Sequence, residues 1–196
     1  AGFICNHSDH NGRYAFNQQP YIGLWNLSCL AQALLPLVEK EALKAALECY
    51  QPLFDREYLR LMRAKLGLQE ERTEDDGLIR DLLGLLQESH ADYTILFREL
   101  GSFSSAAGAV NDKLREHFVN RERFDDWAVR YRDRLCSEDS RDHERRERMN
   151  RVNPKYVLRN YLAQAAIEKA QQKDFSEIDR LFTLLQNPYS DQPDKE

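Results

Sequence analysis

The spacing of apolar residues along the chain predicts a series of α-helices joined by short polar segments. Leu, Ile, Phe, Trp and Ala recur three and four residues apart, which is the period of one helix face. No run of three or more short, alternating Val/Ile/Thr strands is present. The pattern therefore predicts an all-α fold. The predicted helices begin close to residues 21, 37, 52, 78, 91, 111, 121, 137, 154 and 175.

Two of these helices have distinctive apolar patterns. The helix from Tyr21 to residue 35 is apolar around most of its circumference, which predicts that it is buried, and Pro36 ends it. In the helix beginning at Arg121, an aromatic stripe of Phe124, Trp127 and Tyr131 lies on one face. This spacing favours core packing over a ligand box. Gly67 is a predicted helix C-cap, and residues 69–76 are predicted to be an exposed acidic segment.

The domain organisation predicted from this pattern has three parts. Residues 1–19 form an irregular loop, residues 20–188 a helical domain, and residues 189–196 a polar tail. The 196 residues are enough for one large domain, and 42% hydrophobic with 31% charged residues is typical of a globular protein.

Charge and hydropathy restrict the kinds of molecule that the chain is expected to bind. The net charge of −5 argues against nucleic-acid binding, and no stretch of about 18 apolar residues predicts a membrane span. The N-terminus lacks the basic and apolar regions of a signal peptide. Because it begins with Ala1 and not Met, we expect a start inside a longer chain. Neither nucleic acid nor membrane is therefore an expected partner.

The four cysteines indicate a reducing compartment. Cys5, Cys29, Cys49 and Cys136 show no metal-ligand spacing such as CxxC. Cys29 and Cys49 lie in apolar helical patterns, which predicts buried thiols. Free thiols of this kind are typical of the cytoplasm, which is the predicted location.

The densest group of chemically active residues is the segment Cys5–His10, which contains Cys, Asn, His, Ser, Asp and His. The favoured interpretation is a polar loop that hydrogen-bonds the surrounding backbone. Metal binding and a Cys/His nucleophile are alternatives, although the ligands are crowded and no orienting third group is evident. A redox role for Cys5 is a further hypothesis, because two imidazoles and Arg13 lie close in sequence. We assign no residue as catalytic, as cofactor-binding or as a metal ligand.

An arginine-rich segment follows in residues 137–150. Opposite charges are interleaved at helical spacing, which favours a solvated, self-neutralised helix over a phosphate-binding face. Recognised nucleotide and catalytic motifs are absent from the sequence, including GxxxxGK[ST], GxGxxG, HExxH and GxSxG, as are HRD-like and DFG-like motifs. The basic residues of this region are Arg141, Arg145, Arg146, Arg148, Arg151, Lys155 and Arg159.

Several segments, taken together, resemble one protein family. They are GFICNHSDHNGRYAF at residues 2–16, QP at 19–20, GLWNL at 23–27, MNRVNPKYVLRNYLA at 149–163, DFS at 174–176 and PY at 188–189. In this order they are similar to the C-terminal part of the SelO family (selenoprotein O, YdiU-like). The resemblance covers essentially the whole chain.

The resemblance implies a protein-kinase-like fold that transfers AMP from ATP to Ser, Thr or Tyr hydroxyls of protein substrates, with ATP and Mg²⁺ or Mn²⁺ as cofactors of the full-length protein. The family's catalytic residues lie upstream, and none maps onto this chain. The fragment alone is therefore expected to bind no cofactor and to be inactive. By the same resemblance, residues 1–19 correspond to an activation segment and residues 21–35 to the central helix of the C-lobe. The candidate activation-segment residues are Asn6, His7, Ser8, Asp9, Arg13 and Tyr14.

The family also places a Cys or selenocysteine near its extreme C-terminus, which implies a redox disulfide with Cys5 in the complete protein. Two other functions stay open: a non-catalytic helical interaction module, and a redox or metal protein centred on Cys5, His7 and His10. The sequence does not indicate the oligomeric state or the protein substrates.

Overall fold

The computed structural model describes residues 2, 4 and 8–193, and within this part it contains α-helices and 3₁₀ helices but no strand. The all-α prediction is confirmed for this part of the chain. Short 3₁₀ helices span Phe16–Gln18 and Leu100–Ser102. The α-helices are α1 Gln19–Leu34, α2 Lys40–Glu48, α3 Tyr50–Lys65, α4 Asp75–Ser89, α5 Tyr93–Glu99, α6 Asp112–Arg115, α7 Arg121–Cys136, α8 Asp142–Val152, α9 Asn160–Gln171 and α10 Ser176–Leu185.

The chain divides into two compact units, residues 1–61 and residues 62–196. The division falls within α3, because this helix extends from Tyr50 to Lys65. The domain boundaries predicted after residues 19 and 188 stay predictions.

In the first unit, α1 is tied at its start to the beginning of α3. Pro20 lies in the first turn of α1, where its missing N–H costs no helical hydrogen bond. Its carbonyl oxygen accepts a 2.8 Å hydrogen bond from the Tyr50 hydroxyl. Gly23 permits this contact, because a Cβ at that position would lie 2.8 Å from the Tyr50 oxygen. The two helices therefore approach closely at this point.

The prediction that the helix at 21–35 is buried is wrong for the chain as described. No residue of α1 or α2 is buried, and Ala15 is the one buried residue in the described part of 1–61. Trp25 remains 51% exposed and Leu30 55% exposed. A helix face is buried only when side chains of other elements pack against it, and the described residues of this unit provide too few such side chains. The apolar surface of α1 is consequently left uncovered.

The second unit has a core built around α4 and α7. Phe124, Trp127 and Tyr131 are each at most 1% exposed, which confirms the aromatic stripe as core. Their polar atoms are also satisfied, as buried groups require. The Trp127 indole N–H donates to the Leu78 carbonyl at 2.9 Å, and the Tyr131 hydroxyl donates to the Leu66 carbonyl at 2.6 Å.

Two charged segments predicted to be exposed contain buried residues. Asp75 is fully buried, and its carboxylate accepts a 2.7 Å hydrogen bond from the buried Arg134. On α8, Arg145 is fully buried and donates to Asp142 at 2.6 Å and to the Phe103 carbonyl. These charges are buried because each has an opposite charge beside it, which offsets much of the desolvation cost.

The segment after α8 also differs from the prediction. Residue 154 was predicted to start a helix, but α9 begins only at Asn160. The backbone N–H groups of Lys155 and Tyr156 donate instead to the Pro188 carbonyl, at 2.8 and 3.1 Å. This long-range pairing holds residues 155–156 against the segment that follows α10.

Candidate functional site

The predicted N-terminal site is only partly within the described residues. The candidate redox residue and two of the predicted loop residues lie outside the described part, whereas the other predicted loop residues lie within it. Outside are Cys5, Asn6 and His7; within are Ser8, Asp9, Arg13 and Tyr14.

The described part of this loop is organised by the Asp9 carboxylate. Its two oxygens accept hydrogen bonds from the backbone N–H of Arg13 at 2.9 Å and of Tyr14 at 2.7 Å. Gly12 lies between Asp9 and Arg13 in the chain and has φ +67°, a left-handed conformation that favours glycine. Asp9 therefore supports the turn, as the polar-loop interpretation expects.

The Arg13 side chain extends from this turn and contacts α1. Its guanidinium carbon lies 4.4 Å from the centroid of a Trp25 ring, a cation–π distance. The Tyr14 carbonyl accepts a 2.7 Å hydrogen bond from the Gln19 side chain. The loop and the start of α1 are thus joined by both polar and aromatic contacts, within the first unit.

The buried-thiol prediction for Cys29 and Cys49 is wrong. Both side chains are exposed, as is Cys136. The physical reason is that no described residue of the first unit packs closely enough to bury Cys29 on α1 or Cys49 between α2 and α3. The Cys49 sulfur lies 3.4 Å from the Ala45 carbonyl, which is a contact within its own helical segment.

The arginine-rich segment is neutralised only in part. Arg141 pairs with Glu144 at 3.3 Å, and Arg159 pairs with Asp92 at 2.8 Å. The hydrogen bond from Arg159 holds the pKa of the Asp92 carboxyl below its usual value. Arg146, in contrast, has no hydrogen-bond or ion-pair partner among the described residues. Self-neutralisation therefore does not extend to this side chain.

A cleft of about 660 Å³ lies beside Arg146, within the second unit. Residues from α5, the segment 102–114, α8 and the segment near Asp191 line it. Arg98 and Lys155 both contact the Asp191 carboxylate, at 3.3 and 3.2 Å. Sequence patterns could not reveal this cleft, because its walls come from positions as far apart as 98 and 191.

Two other kinds of feature, a metal-ligand cluster and a membrane-spanning helix, are absent from the described part. Residues 2, 4 and 8–193 contain no cluster of three or more His, Cys, Asp or Glu side chains arranged to hold a metal ion. In the same residues, no helix is both long enough and apolar enough to span a bilayer.

The described geometry defines an all-helical protein segment with one incompletely covered unit and one well-packed unit. Comparison with known families identifies it further. The model of the family described as "Protein adenylyltransferase SelO" matches residues 1–186. The chain therefore belongs to the SelO family, as its sequence motifs predict.

Similar proteins agree with this assignment. The chain is 55% identical to a protein nucleotidyltransferase YdiU of Myxococcus xanthus over 195 residues, which cover 100% of the chain and 40% of the relative. Proteins of the same name from Thioalkalivibrio sulfidiphilus and Herminiimonas arsenicoxydans are 54% and 49% identical, again over 100% of the chain and 40% and 39% of the relatives. The chain thus spans about 40% of the length of these curated relatives.

Proposed function

We propose that the chain is the helical C-terminal part of a SelO-type protein adenylyltransferase, an enzyme that transfers AMP from ATP to Ser, Thr or Tyr hydroxyls of proteins. The observation that carries this proposal is the family match over residues 1–186. In this proposal the full-length protein has a kinase-like fold and uses ATP with Mg²⁺ or Mn²⁺. The groups that hold the metal and the phosphates come from the rest of the family polypeptide.

The uncovered surface of α1 supports a division of labour between this chain and further polypeptide. A piece of about 60 residues buries only a modest share of its surface even when it is well packed. Here the described residues of 1–61 form almost no core of their own, and large side chains such as Tyr21, Trp25 and Leu30 are more than half exposed. Exposed apolar surface on this scale is typical of an interface. We propose that the remaining family polypeptide covers α1.

The function is tested by a chimera. The corresponding segment of the Myxococcus xanthus YdiU protein is replaced by this chain, which is 55% identical to it. AMP transfer is measured with ATP radiolabelled in its α-phosphate and a mixture of protein acceptors. We expect the chimera to label protein and the isolated chain to label none. AMP transfer by the isolated chain, or its micromolar binding of ATP–Mg²⁺, would refute the assigned division of roles.

The role of α1 is tested in the same chimera with a matched pair of variants. Leu30→Gln replaces an apolar side chain of α1 that is 55% exposed, and Val129→Gln replaces one on α7 that is 50% exposed. We expect Leu30→Gln to lower the activity and the yield of folded chimera, because it puts a polar group into a covered interface. Val129→Gln should leave both close to the unsubstituted level. Equal effects would argue against docking on α1.

The runner-up function is a non-catalytic helical interaction module. The same uncovered α1 surface would serve a separate partner in that case. A chimera that folds but transfers no AMP would favour this module. The redox hypothesis for Cys5 is tested separately, by thiol mapping of the full-length protein under oxidising conditions.

A further inference from the structure

Exposed apolar side chains are concentrated in the last two helices of the second unit. Residues 158–182 expose six large apolar side chains, as many as residues 62–157, a segment almost four times as long. Four of the six in the longer segment are valines, whereas the shorter segment exposes the aromatic side chains of Tyr161, Phe175 and Phe182. Scattered exposed apolar residues are ordinary, but a concentration that includes aromatic side chains is typical of a surface that contacts protein.

One of these helices, α10, has two apolar stripes. Leu181 and Leu184 form the first and are each 6% exposed, so they belong to the core. Phe175, which directly precedes α10, forms the second with Ile178 and Phe182, and these three are 57%, 43% and 65% exposed. Their spacing of three and four residues places them on one side of the helix, and we call them the α10 face. Packing within the described residues uses only the first stripe, so the fold does not account for the second.

The α10 face is held in position by contacts on both sides of it. The Glu177 carboxylate accepts a 2.6 Å hydrogen bond from Arg180 within α10 and a 3.3 Å hydrogen bond from Lys169 of α9. Beyond the end of α10, the Gln192 side chain donates to the Leu184 carbonyl at 3.0 Å. A surface that is fixed before it is covered loses little conformational entropy on docking. The α10 face is therefore preformed for contact with another rigid element.

The size of the α10 face indicates what covers it. A stable complex of separate chains buries roughly 800 Å² and 20–30 residues on each partner, far more than three side chains provide. Docking by another part of the same polypeptide needs less area, because covalent connection removes most of the entropy cost of association. The chain covers 40% of the Myxococcus xanthus relative, so more than half of that protein lies outside the matched region. The small area therefore favours connected polypeptide over a second copy or a separate partner.

We propose that the α10 face docks against further polypeptide of the SelO protein to which this chain belongs, through a complementary apolar surface. Docking would bury Phe175 and Phe182, the two most exposed side chains of the face. The surface is separate from α1, because it lies in the second unit. The inference rests on the proposed function only in requiring that the chain is part of a longer SelO polypeptide, and it does not require AMP transfer.

Hydroxyl-radical footprinting with mass spectrometry tests whether the α10 face is covered. It compares the isolated 196-residue chain with the unsubstituted Myxococcus xanthus chimera, and both proteins unfolded in urea provide the reference rates. We expect ready oxidation of Phe175 and Phe182 in the isolated chain, where both are exposed. In the chimera their oxidation should be slower by at least about threefold, because side chains at the centre of an interface lose contact with solvent.

A matched pair of variants measures what docking contributes to stability. Phe182→Gln alters the α10 face, and Val129→Gln alters an exposed apolar side chain of α7 in the same unit. In the isolated chain both should leave the midpoint of thermal unfolding nearly unchanged, because both side chains are exposed there. In the chimera we expect Phe182→Gln to lower the midpoint by about 4 °C and Val129→Gln by less than about 1 °C.

Three results would overturn the inference. The first is equal oxidation of Phe182 in the chimera and in the isolated chain, since the face is then uncovered. The second is protection of Phe182 in the isolated chain that grows with its concentration, which would identify a second copy as the occupant. The third is an equal loss of stability from Phe182→Gln in both proteins, which would place the side chain in the fold of the chain itself.

The AMP-transfer assay separates this inference from the proposed function. A chimera that transfers AMP while Phe182 stays freely oxidised contradicts docking and supports the function. A chimera in which Phe182 is protected but no AMP is transferred supports docking and contradicts the function.

Discussion

Replacing Gly67 by alanine is expected to lower the stability of the second unit strongly. It follows α3 with φ +72°, and a Cβ there would lie 2.5 Å from Arg145 Cγ and 2.9 Å from Met149 Cγ. Neither neighbour can easily move, because both are fully buried and Arg145 is bonded to Asp142 and Phe103. Gly67→Ala therefore combines backbone strain with overpacking.

The size of the effect follows from these two contributions. A side chain in the left-handed region costs about 1–2 kcal/mol. Inserting a methyl group into a packed core costs about 1–3 kcal/mol. Their sum, about 2–5 kcal/mol, is a large part of the roughly 5–15 kcal/mol by which a typical domain is stable. We expect Gly67→Ala to lower the free energy of unfolding of the second unit by this amount.

Urea denaturation followed by tryptophan fluorescence measures this change. The chain has two tryptophans, so a Trp25→Phe background leaves Trp127, in the core of the second unit, as the sole reporter. Two glycine controls separate the contributions. Gly108 has φ +74° but no neighbour within 4 Å, so Gly108→Ala should cost only the strain. Gly84 lies in α4 with open space around it, so Gly84→Ala should stabilise by about 0.5–1 kcal/mol.

The difference in stability loss between Gly67→Ala and Gly108→Ala tests the packing around Gly67. If Gly67→Ala destabilises no more than Gly108→Ala, the contact with α8 contributes nothing. The assigned packing around Arg145 and Met149 would then be refuted.

Two further substitutions test the buried charges. Asp75→Asn removes one of the two carboxylates that pair with Arg134, which lies 2.7 Å from Asp75 and 2.9 Å from Glu138, so urea denaturation should show a loss of about 1–3 kcal/mol. A variant as stable as the original chain would contradict this. Burial opposes ionisation of Asp142, but hydrogen bonds from Ser105 and Arg145 outweigh it and lower its pKa below 3.8. The stability from this group is thus present above pH 3.8 and lost as the pH falls through the lower folded-state pKa. The stability difference between the original chain and Asp142→Asn should shrink from about pH 6 to about pH 3, and a constant difference would exclude this role.

Local features of the fold were largely predictable. The period of apolar residues identified α7 together with its aromatic stripe, and Gly67, predicted as a helix C-cap, lies two residues beyond α3 with a positive φ. Such features depend on residues within a few positions of each other. The family could also be predicted from sequence, because its motifs at residues 2–27 and 149–163 are continuous strings of residues.

Burial of individual side chains was less predictable. Cys29 and Cys49 lie in apolar patterns yet are exposed, because an apolar helix is buried only when other elements cover it. Conversely, Asp75 and Arg145 lie in charged segments yet are fully buried. Asp75 pairs with Arg134, which lies 59 residues further along the chain. Arg145 donates to the Phe103 carbonyl, which lies 42 residues before it. No local pattern records such distances.

The sequence by itself determined the helical class, most helix positions and membership of the SelO family, because helix periodicity and family motifs are properties of neighbouring residues. Only the tertiary structure decided which charges are buried as pairs and which stay without a partner. Arg145 and Arg146 are adjacent and chemically identical, yet one is fully buried beside Asp142 and the other lines the cleft. The difference arises because successive residues of a helix point about 100° apart, so each meets a different part of the surrounding fold.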